Sequence, residues 1–512
     1  MTTHAFKRAF CSTILAAAAL AAGPAASIQF VDRTAEAGIQ QGHSAYYLIT
    51  GQAWADYDGD GRVDLYLTDS GGPNTLYRNT GTGFEVAAWN AQVALPGHVS
   101  GGATWADYDN DGRDDLLVLG LGWPKLFRNT PAGFVDVSTS MGLDDDGMGE
   151  SAAWGDFDAD GWLDLYIVHW YYDEDETDPR AQDRLYRNLA GQGFEDVSHL
   201  LDEGRMSGPG FAAAFTDYDH DGDVDLYVVN DKHWGNLLWR NDGEGCGGWC
   251  FSDVSQATGT HRPAFSMGIA VDDYDLDGDF DFFYSSIAEL ILLHNPTREG
   301  TTVWTDVSST MQCTGDVIGW GVIFEDFDND VDFDLFAATV ESSPSANDRV
   351  YRNEYPGPFD DISATAGASD PFMTIGAARA DYDRDGRMDL VVGNYNNGYR
   401  LMRNVTPAVG GWLQVALEGG GPINRNAAGS RVILTLDDGR EIHRELRIGE
   451  SIGASHERIL HFGLGARQPA GLRIEWPDGE VTTVDGLPVD TRVEFSYPQA
   501  LSMFADGFEA TR

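Results

Sequence analysis

The sequence predicts an all-β chain: a seven-bladed β-propeller followed by a small β-sandwich-like domain. Three observations carry this reading. A nine-residue acidic segment recurs seven times at a blade-sized interval, four short strand patterns accompany each copy, and the texture of the chain changes near residue 406.

The repeated segment reads Asp-aromatic-Asp-x-Asp-Gly-x-x-Asp and begins at Asp56, Asp107, Asp156, Asp217, Asp273, Asp326 and Asp381, with spacings of 51, 49, 61, 56, 53 and 55 residues. Carboxylates at positions one, three, five and nine can converge on one point, and hard oxygens at those offsets suit Ca2+. The predicted ligands are Asp56, Asp58, Asp60 and Asp64; Asp107, Asp109, Asp111 and Asp115; Asp156, Asp158, Asp160 and Asp164; Asp217, Asp219, Asp221 and Asp225; Asp273, Asp275, Asp277 and Asp281; Asp326, Asp328, Asp330 and Asp334; and Asp381, Asp383, Asp385 and Asp389. Two carboxylates about 4 Å apart repel by roughly 4 kcal/mol at an effective dielectric near 20, so a loop holding four of them calls for a cation. A solvated acidic turn is the alternative for one isolated copy; seven copies in register argue against it. Position twelve, where a helix-loop-helix calcium hand carries a bidentate Glu, holds Leu67, Val118, Ile167, Val228, Tyr284, Ala337 or Val392, so these loops lead into strands. Glycine at position six supplies a turn with φ > 0. The sixth copy has Val331 there, and a β-branched residue resists that conformation, so of up to seven Ca2+ sites the sixth is expected to be the weakest or empty.

The strands follow in order. A small-residue and aromatic stretch precedes each loop (Ala53-Trp54, Thr104-Trp105, Ala153-Trp154), and an apolar run such as Leu163 to Val168 follows it. The third pattern is Leu76-Tyr77-Arg78-Asn79 and its kin at Arg128-Asn129, Arg187-Asn188, Arg240-Asn241 and Arg352-Asn353; the fourth starts at Phe30, Phe84, Phe134, Phe194, Phe251, Trp304 and Phe359. The first fourth-strand pattern precedes the first loop while the last unit lacks one, so residues 28–34 are expected to complete the last blade and close the ring. From Gly411 onward alternating runs surround the turns Asp438-Gly439 and Asp478-Gly479, a hairpin signal.

The units resemble FG-GAP/VCBS repeats, the calcium-binding blades of integrin α-subunit propellers and of many secreted bacterial proteins, over roughly residues 28–405. The stretch with Trp412 to Leu417, Asn424 to Val432, Leu460 to Gly465 and Leu472 to Gly479 resembles the ASPIC/UnbV domain. The order of leader, propeller and this domain resembles the cartilage acidic protein family and its bacterial relatives. The expected organisation is a signal peptide at 1–27, the propeller at 28–405, the ASPIC/UnbV domain at 406–497 and a tail at 498–512.

Lys7 and Arg8, an Ala-rich apolar stretch and the small residues Ala25-Ala26-Ser27 read as an export signal too short to span a membrane. The mature chain is therefore expected to be secreted, in an extracellular, periplasmic or cell-surface location, as a monomer with no transmembrane segment. Cys246 and Cys250 suit a small local disulfide, with a zinc pair as the rival that no second ligand pair supports; Cys313 is left over and expected to be buried. The loops hold 28 of the 82 acidic residues, and the other 54 against 33 basic residues leave −21 of the formal −49. Nucleic acid is excluded as a partner for want of a basic surface. There is no Gly-x-Ser-x-Gly elbow, phosphate loop or dinucleotide fingerprint, so no catalytic residue is assigned. His456 to His461 has the wrong spacing for a zinc-protease helix.

The leading functional expectation is a calcium-stabilised binding or adhesion-type module that meets a protein or glycan through the face opposite the acidic loops. Trp123, Trp170, Tyr171, Tyr172 and Trp234 lie in connections on that face and suit partner contact. Two alternatives stand beside it: an extracellular hydrolase-like enzyme with a site at the mouth of the central channel, and a passive cell-surface structural protein. Convergence of His43, His98, His169, His233 and His261 would favour the enzyme.

Overall fold

A computed structural model describes residues 27–44, 46–144, 146–171, 179–201, 208–246, 248–340, 348–407 and 410–502. The leader, Tyr172 with the acidic run after it, and the tail from Met503 lie outside the described residues.

The chain is all-β, a propeller followed by a two-sheet domain. Blade 1 consists of Gln52–Ala55, Asp64–Leu67, Thr75–Asn79 and Phe84–Val86, antiparallel and adjacent in chain order. Blades 2 to 6 repeat the pattern, with first strands Val99–Ala106, Gly149–Gly155, Gly210–Thr216, Ile269–Asp272 and Ile318–Glu325. Blade 7 comprises Thr374–Ala380, Asp389–Asn394 and Gly398–Asn404, and its fourth strand is Phe30–Asp32, with Phe30 opposite Asn404.

Two contacts, each repeated seven times, explain why the blades form a ring. The aromatic at position two of each acidic loop packs on the fourth-strand aromatic of the next blade: Tyr57 on Phe134, Tyr108 on Phe194, Phe157 on Phe251, Tyr218 on Trp304, Tyr274 on Phe359, Phe327 on Phe30 and Tyr382 on Phe84, with ring centroids 5.4 to 6.3 Å apart. Such pairs add about 0.5–1.5 kcal/mol each beyond their burial. The Asn that ends each third strand donates from Nδ2 to the backbone carbonyl at the same position two of the preceding blade, as Asn129 does to Tyr57 (2.8 Å) and Asn241 to Phe157 (2.8 Å). Asn79 donates to Tyr382 (2.9 Å), which joins blade 1 to blade 7.

In the terminal region, Leu460–Gly465, Gly411–Glu418, Thr491–Ser496 and Gln499–Ser502 form one sheet. Glu441–Glu445, Arg431–Leu436, Pro469–Glu475 and Val481–Val484 form the other. The turns at Asp438-Gly439 and Asp478-Gly479 join hairpin strands, and Leu413, Val432, Phe462, Ile474 and Phe495 are buried between elements. This region sits on the acidic-loop face of the propeller.

A segment of the terminal region runs along the propeller axis. Trp154 donates its N–H to Ile448 (2.9 Å), Ser451 to Ile269 (2.6 Å), Ala103 to Gly453 (3.2 Å) and Glu457 to Arg379 (3.0 Å), while Ala454–Ser455 pairs parallel with Gln52–Ala55. These partners lie on the first strands of blades 3, 5, 2, 7 and 1, so residues 448–457 occupy the central channel. Close approach requires glycine there: a Cβ on Gly449 would stand 2.2 Å from the Ala152 carbonyl oxygen. Polar anchoring is buried with it. Arg444, 1% exposed, reaches Asp272 (2.8 Å) and Glu325 (2.9 Å), and Arg379 also holds Glu325 (3.0 Å).

Candidate functional site

Each acidic loop lies between the first and second strands of its blade, and position nine opens the second strand. Asp64, Asp115, Asp164, Asp225, Asp281, Asp334 and Asp389 are at most 1% exposed, and each accepts the N–H of the third-strand Asn through Oδ1, as Asp64 does from Asn79 (2.7 Å). Position one is fixed by the turn itself: Asp56 accepts N–H groups from Asp60 (3.0 Å) and Gly61 (2.7 Å), and Asp107 does the same from Asp111 (3.0 Å) and Gly112 (2.7 Å).

First, third and ninth positions come together. Ligand atoms of Asp56, Asp58 and Asp64 lie within 4.8 Å of one another, as do those of Asp107, Asp109 and Asp115 and those of Asp156, Asp158 and Asp164. The fifth position is turned toward cations of the chain in four copies: Asp60 pairs with Arg62 and Arg78, Asp111 with Arg113 and Arg128, Asp160 with Arg187, and Asp385 with Arg387 and Arg403.

The gathered oxygens lack partners. Oδ2 of Asp64, Asp115 and Asp389, Oδ1 of Asp158, Asp219, Asp275 and Asp383, and both oxygens of Asp328 are buried without a hydrogen bond. Each such atom costs about 1–3 kcal/mol unless something ligates it. Burial first, and then repulsion from neighbouring carboxylates, raises six loop carboxyls above the usual carboxylate range: Asp56 to about 6, Asp107, Asp156, Asp217 and Asp381 to about 7, and Asp64 to about 8. A bound divalent cation would supply the missing partner and offset the repulsion together, so the donor set fits a hard cation.

The sixth loop keeps this geometry despite Val331. Val331 adopts φ 101°, against 79° to 97° for the glycines of the other six copies, and donates its N–H to Asp326 (2.9 Å) as they do. The strain of about 1–3 kcal/mol is comparable with the gain of about 1.5–3 kcal/mol from burying a valine. Its side chain is 1% exposed, in one apolar cluster with Phe333, Leu460 and Leu464. The terminal region caps this loop, with His461 Nε2 2.6 Å from Asn329 Oδ1 and the Gly465 N–H bonded to Asn329 O (2.8 Å). A valine that would open an exposed turn is thus held in place by what packs over it.

Sequence reasoning missed a second left-handed residue in every loop. Position four has φ between 51° and 71° at Gly59, Asn110, Ala159, His220, Leu276, Asn329 and Arg384. Only glycine and the two asparagines signal this, since αL is imposed on the others by the loop's convergence. It also missed the blade-joining Asn residues, whose signal was their recurrence after Arg in the third strand.

On the opposite face the aromatic residues divide. Trp123 stands 48% exposed. Trp170 donates Nε1–H to Asp231 (2.9 Å) and stacks on Phe211 with centroids 5.3 Å apart. Lys232 lies 5.0 Å from the Trp170 ring centre and 4.5 Å from that of Tyr171, and the Trp234 N–H bonds to Asp231 O (3.1 Å). Trp170, Tyr171 and Trp234 therefore gather round Asp231 and Lys232, while Trp123 lies in the connection beside His98. The five histidines make these contacts: His43 faces the carbonyls of Thr68 and Tyr47, His98 faces Ser100, the His169 backbone N–H bonds to Asp183, His233 packs on Phe265, and His261 faces the Asn236 carbonyl. None of these contacts joins two of them. Cys246 and Cys250 are disulfide-bonded, and Cys313 is free and buried. Among the described residues no helix is long and apolar enough to cross a membrane.

Comparison with known proteins agrees with this architecture. The FG-GAP-like repeat family matches residues 56–118, 107–167, 217–284 and 326–392, and the ASPIC and UnbV family matches residues 420–502. Cartilage acidic protein 1 of Mus musculus is 25% identical over 499 residues, covering 88% of this chain and 74% of that protein. Its Homo sapiens counterpart is 24% identical over 495 residues, covering 88% and 72%. Solved structures align more loosely. An Agrocybe aegerita lectin that recognises non-reducing terminal N-acetylglucosamine has a TM-score of 0.42 at 16% identity, covering 66% of this chain and 84% of that one. The Cps50 (Swd1) β-propeller domain of Myceliophteria thermophila has a TM-score of 0.41 at 10% identity, covering 72% and 99%.

Proposed function

We propose, from the premise that the chain belongs to the cartilage acidic protein family of FG-GAP-repeat propellers ending in an ASPIC/UnbV domain, that it is an exported, calcium-stabilised binding module. It meets an extracellular protein or glycan through the propeller face opposite the acidic loops. The observation that carries this is the placement of the terminal region. It covers the acidic-loop face and sends residues 448–457 down the axis, which leaves the other face with its connections and the aromatic groups at Trp123 and around Lys232.

Ca2+ at the loops is supported by the partnerless buried oxygens of the third and ninth positions, by their convergence with the first, and by the FG-GAP match. The ions would hold the loops closed and with them the aromatic and Asn contacts that join blade to blade. A hydrolase-like site at the channel mouth is less well supported, because the chain's own segment occupies the channel.

The test is binding of the full mature chain, in excess Ca2+, to arrays of extracellular polysaccharides and surface proteins. A ligand whose binding falls at least tenfold with Trp123→Ala or Lys232→Ala, at unchanged melting temperature, supports the reading. Turnover of an arrayed substrate with no retained ligand would refute it.

A further inference from the structure

The fifth acidic loop differs from the other six in what faces it from the third strand. Six blades place Arg78, Arg128, Arg187, Arg240, Arg352 and Arg403 there, and the fifth places His294. Four of the arginines reach the position-three carboxylate of their own loop: Arg78 to Asp58 (2.6 Å), Arg128 to Asp109 (2.6 Å), Arg187 to Asp158 (2.5 Å) and Arg403 to Asp383 (2.6 Å). Arg240 and Arg352 pair with Asp242 and Glu354. A guanidinium has donors only and cannot ligate a metal, whereas a neutral imidazole has a lone pair to give.

His294 is placed to give it. Its Nδ1 lies 3.4 Å from Asp275 Oδ2 and 3.4 Å from Asp281 Oδ1. On the other side of the ring Nε2 faces Glu299 Oε1 at 3.8 Å, so a metal ion bound at Nδ1 would take the place of the proton that the two loop carboxylates favour there. The Asp275 side chain is 8% exposed and its Oδ1 has no partner. Asp275, Asp281 and His294 form one ligand cluster, and the 3.4 Å from Nδ1 to an oxygen of each aspartate is about the ligand-to-ligand spacing that bonds of about 2.0–2.2 Å make at one tetrahedral ion. Ca2+ is served by oxygen ligands, while imidazole nitrogen favours zinc and its first-row neighbours.

We propose that the fifth loop is a site for Zn2+ or a similar first-row divalent ion, bound through His294 Nδ1, Asp275 and Asp281, in a propeller whose other loops present oxygen. This deepens the reading of the loops as cation sites and rests on it. The experiment uses the full chain, stripped with chelator, reloaded with excess Ca2+ and titrated with Co2+ as an optical probe. The expected result is one Co2+ per chain that gives visible absorption in the presence of Ca2+ and is displaced by Zn2+. His294→Arg, which restores the residue of the other blades, and His294→Gln each lower Co2+ affinity by at least about tenfold, with calcium content and melting temperature unchanged. The inference is overturned if Ca2+-loaded protein gives no Co2+ absorption, or if both variants titrate like the parent. A parent chain that retains no Ca2+ by elemental analysis would instead overturn the reading beneath it.

Discussion

Replacing Arg444 with Met removes the one guanidinium that ties the terminal region to both Asp272 and Glu325. The site is buried: Arg444 is 1% exposed, its contacts to the two carboxylates are 2.8 and 2.9 Å, and it also donates to the His461 carbonyl (2.6 Å). Taking one partner from a buried ion pair costs about 3–5 kcal/mol, because the other charge stays behind without compensation. Arg379 still neutralises Glu325 at 3.0 Å, so Asp272 is the charge left exposed to the penalty and the lower end, about 3 kcal/mol, applies. At about 1.4 kcal/mol per decade this is roughly a hundredfold loss of protection for amides that open with the docked segment. Hydrogen exchange measured in excess Ca2+ on peptides spanning 446–459 reads it directly, since the Ser451 and Glu457 amides are bonded to the propeller. Adding Asp272→Asn to Arg444→Met removes the stranded charge and should recover most of the loss. Protection in Arg444→Met within about threefold of the parent would refute the claim that these ion pairs hold the segment in the channel.

Asn79→Ala leaves the carbonyls of Val63 and Tyr382 without their donor, so urea unfolding should show a loss of about 2 kcal/mol; a change under about 0.5 kcal/mol would mean that the blade-joining bonds carry nothing. Val331→Gly should leave the number of bound Ca2+ unchanged by elemental analysis, because the loop already has its turn; one ion gained would show that valine does disable the site. Asp107, Asp156, Asp217 and Asp381 titrate near 7 in the metal-free fold, so protons compete with Ca2+ and calorimetric affinity should fall as pH drops from 8 to 6. The same shifts fix the sign for the metal-free protein. Its folded-state carboxyls bind protons more tightly than the unfolded ones, so its melting temperature should rise as pH falls from about 8 toward 4, opposite to the usual acid destabilisation.

The fold class was legible because a propeller writes itself repeatedly: the Asp loops and the fourth-strand aromatics recur seven times and the Arg-Asn pattern six, at blade-sized intervals, so each element is read against its repeats. The contacts behind that recurrence were not legible. Position two is aromatic because Tyr57 must meet Phe134 in the next blade, and the Asn after Arg78 recurs because Asn79 must reach Tyr382, a residue 303 positions away. In the candidate site the acids were visible as a pattern, whereas the turning of Asp60, Asp111 and Asp385 toward arginines depends on geometry that spacing does not encode. The docked segment was hidden altogether. Residues 448–457 occur once, carry no repeat, and meet Trp154, Ile269 and Gln52 through contacts between residues far apart in the chain.

The central claim is that divalent cations answer the clustered aspartates and so stabilise the ring, and thermal unfolding of the full chain in EDTA against 10 mM Ca2+ tests it most directly. If the sites bind at roughly 0.1–1 mM, as extracellular calcium modules do, each occupied loop adds about 1.4–2.7 kcal/mol at that concentration. Several loops acting together predict a melting transition that moves up steeply on adding Ca2+ and returns on chelation. Coincident curves in EDTA and in Ca2+ would contradict it.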